Sequence, residues 1–278
     1  MMLTVIPPVV EASFLADHPR AVVADVRWYL DGRDGRAAYE SAHIPGAVWV
    51  DLDHQLAAHD LPATAGRHPF PPPSEFAAAM GSLGITNDSV VVAYDDTGGL
   101  TAGRLVVMLR MLGVDAAVLD GGLTNWTGDI AQGWVEPAPT AFTTVAWPAD
   151  RFASADETAA CAASAHGTVI DARAPERFTG AVTQIDPRPG HVPGARNAPW
   201  SAVLDTSARV RPVAELRAHF AGLGVGTDEP AIAYCGSGVS TCMNIVAIEH
   251  AGLPPARLYV ASWSGWSADP ERPAELGG

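Results

Sequence analysis

One cysteine in this chain sits where a thiol can do chemistry. Tyr234-Cys235-Gly236-Ser237-Gly238-Val239-Ser240-Thr241 follows the apolar run Ala231-Ile232-Ala233 and precedes a helical pattern over 241–251. Cys235 is therefore expected at a strand end, inside a glycine-containing loop, at the start of a helix. Loop N–H groups and the positive end of the helix dipole both favour sulfur as the anion. The glycines let backbone curl around it without side-chain clashes. A thiolate held this way is a nucleophile. The competing reading, a cysteine that is only a small buried hydrophobe, is common for this residue type, but it leaves the Gly-Ser-Gly loop unexplained.

Two enzyme classes use a cysteine in such a loop. Cysteine-based phosphatases need an arginine six positions after the cysteine, because a phosphate dianion wants a bidentate cation. That position is Thr241 here. Cys-Gly-Ser-Gly-Val-Ser instead resembles the active-site loop of the rhodanese superfamily, in particular its 3-mercaptopyruvate sulfurtransferase branch. Thiosulfate-preferring relatives usually carry basic residues straight after the cysteine, where this chain has Gly236 and Ser237. The chain departs from the usual branch pattern at Ser240-Thr241, where Thr-Ala is common, and at Met243, where His is frequent.

The chain also repeats itself. Leu83-Gly84-Ile85 recurs as Leu223-Gly224-Val225, and Asp88, Tyr94 and Trp126 recur as Asp228, Tyr234 and Trp266, each 140 positions on. His43-Ile44-Pro45-Gly46-Ala47 recurs as His191-Val192-Pro193-Gly194-Ala195, and Asp25-Val26-Arg27 as Asp171-Ala172-Arg173. This predicts a tandem duplication of one domain of ordinary size. The duplication is asymmetric at the decisive position, because the partner of Cys235 is Asp95. Asp cannot carry a sulfane sulfur, so one active site per chain is expected. The resemblance implies a first half that has lost catalysis.

Its implications for the remaining site are specific. A mercaptopyruvate-type donor carries a carboxylate, which a guanidinium fork suits. The family's two arginines match Arg177, in Glu176-Arg177-Phe178, and Arg188, in Asp186-Pro187-Arg188. The amides of Gly236, Gly238, Val239 and Ser240 are implied to hold the persulfide. A proton relay is implied through Ser237, a histidine and Asp53. His68 is the choice for the histidine, with His54 and His59 as competitors in the same loop. In such a relay the acid orients the imidazole, which exchanges a proton through the serine.

Other candidates read as structural. His43 and His191 stand before Pro-Gly and are expected to organise turns, and Arg27 and Arg173 to pair with nearby acids. Cys242 is expected to pack in its helix, Cys161 lies in no motif, and no Cys or His pair has zinc-site spacing.

Composition narrows the field further. The net charge of -14 argues against nucleic acid as a partner. All 17 basic residues are arginine, which excludes Schiff-base, biotinyl and Walker-type lysine chemistry. The N-terminus lacks the basic and apolar regions of a secretory signal, and no apolar run reaches membrane-span length. Three cysteines do not suggest a disulfide framework. A reducing cytoplasmic setting is expected. The implied partners are a small sulfur donor and a thiol acceptor such as thioredoxin, with no metal or organic cofactor.

The elements that must position these groups alternate between short apolar strands and helices. The fold class is α/β: tandem rhodanese-like domains, each a mostly parallel sheet flanked by helices. Strands are expected over 21–26, 47–50, 90–94 and 116–119, and over 168–171, 195–197, 231–234 and 257–260. Helices are expected from Ser74 onward and over 101–112, 213–221 and 241–251. Residues 1–135 form the non-catalytic domain, 136–153 an extended linker and 154–278 the catalytic domain. The proline-rich 54–73 stretch reads as a long irregular loop of a functional kind, and the tail after Trp266 is expected to fray.

Together these features imply a sulfurtransferase that moves a sulfane sulfur from 3-mercaptopyruvate, through a Cys235 persulfide, to a thiol or cyanide. Two alternatives stay open: thiosulfate as the donor, and a non-catalytic sulfur carrier or redox sensor.

Overall fold

In a computed structural model the chain divides into two units. Residues 6–183, 185–226 and 230–278 are described, so Asp228 of the repeat lies outside them. Unit 1 comprises Met1–Ala58, Pro71–Pro148 and Asp205–Val210. Unit 2 comprises His59–Phe70, Ala149–Leu204 and Arg211–Gly278.

Unit 1 contains β1 (Val9–Val10), α1 (Ser13–Asp17), β2 (Val22–Asp25), α2 (Gly35–Ser41), β3 (Val48–Trp49) and α3 (Leu52–Gln55). It continues with α4 (Pro73–Ser82), β4 (Val90–Tyr94), α5 (Ala102–Met111) and β5 (Asp115–Leu119). Its sheet runs β1-β5-β4-β2-β3, and every pairing is parallel. Unit 2 contains α6 (Ala155–Ala163), β6 (Val169–Asp171), α7 (Pro175–Phe178), β7 (Arg196–Asn197) and α8 (Val213–Gly222). It closes with β8 (Ile232–Tyr234), α9 (Thr241–His250), β9 (Arg257–Leu258) and α10 (Ser262–Ala268). Its parallel sheet runs β7-β6-β8-β9. Parallel sheets need both faces covered, which is why the central strands β4 and β8 read as unbroken apolar runs.

The repeat motifs brace each unit in the same way. Tyr94 Oη accepts from the Ile44 N–H at 3.0 Å, and Tyr234 Oη accepts from Val192 at 3.1 Å. His43 Nδ1 donates to the Tyr39 carbonyl and His191 Nδ1 to that of Phe178, each at 2.9 Å. Arg27 and Arg173 fork onto Asp25 and Asp171. These histidines and arginines are buried fixtures of their turns and strand ends.

The eight expected strands match β2 to β9 with small differences at their ends, while the two-residue β1 is an addition. Two expectations are corrected. The tail does not fray. The Glu275 N–H donates to the His191 carbonyl at 3.0 Å, the Gly277 N–H to Thr179 at 3.0 Å, and Trp266 Nε1 to Pro273 at 2.7 Å. The 54–73 stretch is not one loop. α3 continues to Gln55, a 3-10 turn spans Ala63–Ala65, and the stretch divides between the units.

Candidate active site

Cys235 begins the turn from β8 into α9. β8 is buried throughout, and α9 is buried from Thr241 to Ile248. A helix buried over eight successive residues belongs in the interior, so it fixes the loop at its N-terminus firmly. Cys235 is itself 1% exposed. The Gly238 N–H points at its sulfur, with N to Sγ at 3.2 Å. Gly238 has φ of +78°, a conformation any side chain would strain. The Cys235 N–H donates to Ser262 Oγ at 3.2 Å, and the Cys235 carbonyl accepts from Trp263 at 2.9 Å. The start of α10 thus anchors the cysteine from behind. Ser262 adopts φ of +54°, a strained conformation for a residue with a side chain. Cys242 Sγ donates to the Gly238 carbonyl at 3.3 Å inside buried α9, which makes it a packing residue.

The segment His59–Phe70 brings the histidine. His68 Nδ1 and Ser237 Oγ are 2.9 Å apart. The segment is held by close backbone approach. A side chain on Gly66 (φ +88°) would strike the Ala261 carbonyl, and one on Gly265 would meet the Thr64 carbonyl at 2.6 Å. The Arg67 N–H donates to Ser264 Oγ at 3.1 Å. Asp53 lies in α3 of unit 1, where it accepts from Trp28 Nε1 at 2.8 Å. His54 pairs with Asp51 at 2.9 Å and is largely exposed.

Arginine placement differs from the expectation in one case. A Cβ on Gly236 would lie 2.7 Å from Arg177 Nη2, 3.3 Å from Arg177 Nη1 and 3.0 Å from Arg67 Nη2. Arg177 therefore stands beside the loop as expected, but its companion is Arg67. Arg188 is turned elsewhere. Its Nε donates to Ser267 at 3.0 Å, and its Nη2 to Asp269 and Arg272, each at 2.9 Å. Carbonyls in the last turn of α10 and beyond it hold that cation away from the loop. Arg67 neighbours His68 in sequence, and that adjacency was the only signal for it.

Unit 1 shows what such a loop holds. Asp95 stands where Cys235 stands and is 1% exposed. Its carboxylate accepts from the N–H groups of Thr97, Gly99 and Thr101 at 2.8 Å and of Ala102 at 3.0 Å. The Thr97 and Thr101 hydroxyls add bonds of 3.1 Å. The duplicate loop is a nest of N–H groups converging on an anion.

A parallel α/β unit, duplicated, with a cysteine at a strand end inside an anion-cradling loop, defines a class of sulfur-handling proteins. Comparison agrees: the rhodanese-like domain family matches residues 11–129 and 154–269, and the chain belongs to that family. A Pseudomonas aeruginosa protein provisionally named a 3-mercaptopyruvate sulfurtransferase is 39% identical over 93% of both chains. A Mycobacterium tuberculosis protein with a provisional thiosulfate sulfurtransferase name is 38% identical, over 92% of this chain and 90% of its own. The structure of a 3-mercaptopyruvate sulfotransferase from Escherichia coli superposes with a TM-score of 0.81 at 32% identity, covering 93% of this chain and 99% of that one. The chain is a sulfurtransferase. No helix among the described residues is long and apolar enough to cross a membrane.

Proposed function

We propose that the chain takes its sulfur from 3-mercaptopyruvate and passes it to a thiol or to cyanide. The Cys235 thiolate attacks the donor's sulfur and an S–S bond forms. The donor's C–S bond breaks, and its electron pair leaves on carbon as the enolate of pyruvate. Ser237, backed by His68, delivers the proton that converts the enolate to pyruvate. The acceptor then attacks the outer sulfur, the S–S bond breaks, and Cys235 recovers its electron pair. The amides of Gly236, Gly238, Val239 and Ser240 are assigned to the bound persulfide, and Arg177 with Arg67 to the donor's carboxylate. Arg188 is assigned to the fold. Asp53 keeps its place in the relay on the strength of the family resemblance, and Asp53→Asn tests it.

The observation that carries this reading is the meeting, around Cys235, of a 2.9 Å His68–Ser237 pair with two guanidinium groups beside Gly236. A stoichiometric carrier has no use for a proton relay. Residues 154–278 are taken as the catalytic domain, to which the His59–Phe70 segment of the otherwise non-catalytic residues 1–135 contributes Arg67 and His68, with 136–153 between the two. A cytoplasmic setting with a small protein thiol such as thioredoxin as acceptor suits the chemistry. Thiosulfate is the second reading, favoured by the name of the Mycobacterium tuberculosis relative.

The test is steady-state transfer to cyanide with both donors, using Cys235→Ala as control. Preference for mercaptopyruvate, abolished in the variant, is expected. Preference for thiosulfate sinks the donor assignment, and absence of turnover with either sinks the catalytic one.

A further inference from the structure

Beside the Cys235 loop lies a carboxylate that the sulfur-transfer chemistry does not use. Asp186 is 8% exposed and is gripped by three arginines. Arg177 donates to it through Nε at 3.1 Å and through Nη2 at 2.6 and 2.8 Å. Arg67 Nη1 reaches it at 3.2 Å and Arg173 Nη1 at 3.5 Å. Arg173 is already neutralised by Asp171, at 2.6 Å. Within this cluster that leaves the cations of Arg67 and Arg177 and the anion of Asp186.

The geometry divides each guanidinium between two tasks. Asp186 takes the Nε–Nη2 side of Arg177, while Nη1 and Nη2 line the space over Gly236. Asp186 takes Nη1 of Arg67, while Nη2 lies over Gly236. The carboxylate thus sits behind both cations, fixing their direction and cancelling one of their two charges.

We propose that Asp186 is a specificity-determining residue of the donor site. It leaves one net positive charge beside Cys235, which matches a singly charged donor, a 2-oxo monocarboxylate bearing a thiol, over a dianion such as thiosulfate. A dianion gains roughly twice as much as a monoanion from each added positive charge nearby. Neutralising Asp186 therefore favours the dianion. This inference rests on the donor assignment above and adds the group that enforces it.

The experiment compares kcat/KM for 3-mercaptopyruvate and thiosulfate, at fixed ionic strength, in the wild type, Asp186→Asn and Asp186→Glu. Binding of unreactive pyruvate and sulfate is measured calorimetrically alongside. The expected result is a shift in the donor ratio of about tenfold toward thiosulfate in Asp186→Asn, carried mainly by KM. A matching shift toward sulfate is expected in the binding data. Asp186→Glu, which keeps the charge, holds the ratio near that of the wild type. Equal losses for both donors in Asp186→Asn, with an unchanged pyruvate-to-sulfate ratio, make Asp186 a brace only and overturn the proposal. If Asp186→Asn does not fold, Arg67→Gln decides: removing one positive charge is expected to weaken sulfate binding more than pyruvate binding, and equal losses for the two overturn the proposal. If the wild type turns over neither donor, the catalytic assignment fails, while the binding ratios still judge the charge-matching role.

Discussion

A single methyl group at position 236 would meet the ends of two arginine side chains. Gly236 has Arg177 Nη2 and Arg67 Nη2 within about one van der Waals contact of where a Cβ would stand. Both are far ends of flexible side chains, so they can yield without disturbing the backbone. Gly236→Ala is therefore expected to change stability by less than about 1 kcal/mol. It displaces the cations assigned to the donor's carboxylate, and small misplacements in a positioning site cost about 10- to 100-fold in rate. Thermal denaturation together with donor kinetics checks both halves, and an unimpaired kcat/KM would remove the arginines from donor binding. Legibility at this scale was uneven. The nucleophile, its serine and the absence of the phosphatase arginine all stood in one short motif. Arg188 sat in a recognisable motif as well, but the direction of its side chain is set by carbonyls roughly 80 positions further on. No local spacing encodes that.

Secondary-structure elements were more legible than their caps. The apolar runs that became β4 and β8 were evident because buried parallel strands have no polar face to interrupt them. α6 is weakly marked in the sequence, although it carries a full capping box. Ser154 Oγ accepts from the Glu157 N–H at 3.1 Å, and Glu157 accepts from the Ser154 N–H at 2.8 Å. Its alanine-rich sequence lacks the apolar stripe that would have marked it. The Ser154 N–H, then Arg257 and the Ser154 hydroxyl, hold the Glu157 carboxyl down at about 2. A carboxyl depressed in the folded state stabilises above its ordinary value near 4.5 and loses that contribution as pH falls toward about 2. Glu157→Gln is expected to flatten that part of the acid limb. Urea denaturation at pH 5 and pH 3 reads it, and a slope identical to the wild type counts against the cap.

At the scale of the whole chain, the duplication was visible in the sequence, but the path of the chain through the units was not. The proline-rich stretch has no periodicity, so nothing in it says where it packs. Its middle, His59–Phe70, belongs to unit 2 and brings Arg67 and His68 with it. A fragment starting at residue 154 therefore lacks part of its own unit. It loses the Gly66–Ala261 contact, the Ser264 bond and the histidine partner of Ser237. Such a fragment is expected to melt earlier than the intact chain and to transfer sulfur at least about 100-fold more slowly, given the usual contribution of a proton shuttle. A fragment matching the full chain in rate would mean that His68 is dispensable.

Asp95 gives the first half of the chain a different kind of permanence. A ring of amides aimed at one point is uncomfortable when empty, since converging dipoles repel one another and ask for a counter-charge. In unit 2 that demand is met by the Cys235 sulfur and by whatever sulfur it carries. In unit 1 the occupant is tethered to the backbone and cannot depart. The first half of the duplication can thus be seen as a standing cast of the loaded state, a receptor whose ligand is part of its own chain. Silence and perpetual occupancy go together there, and the bonded carboxylate holds the loop in its shape.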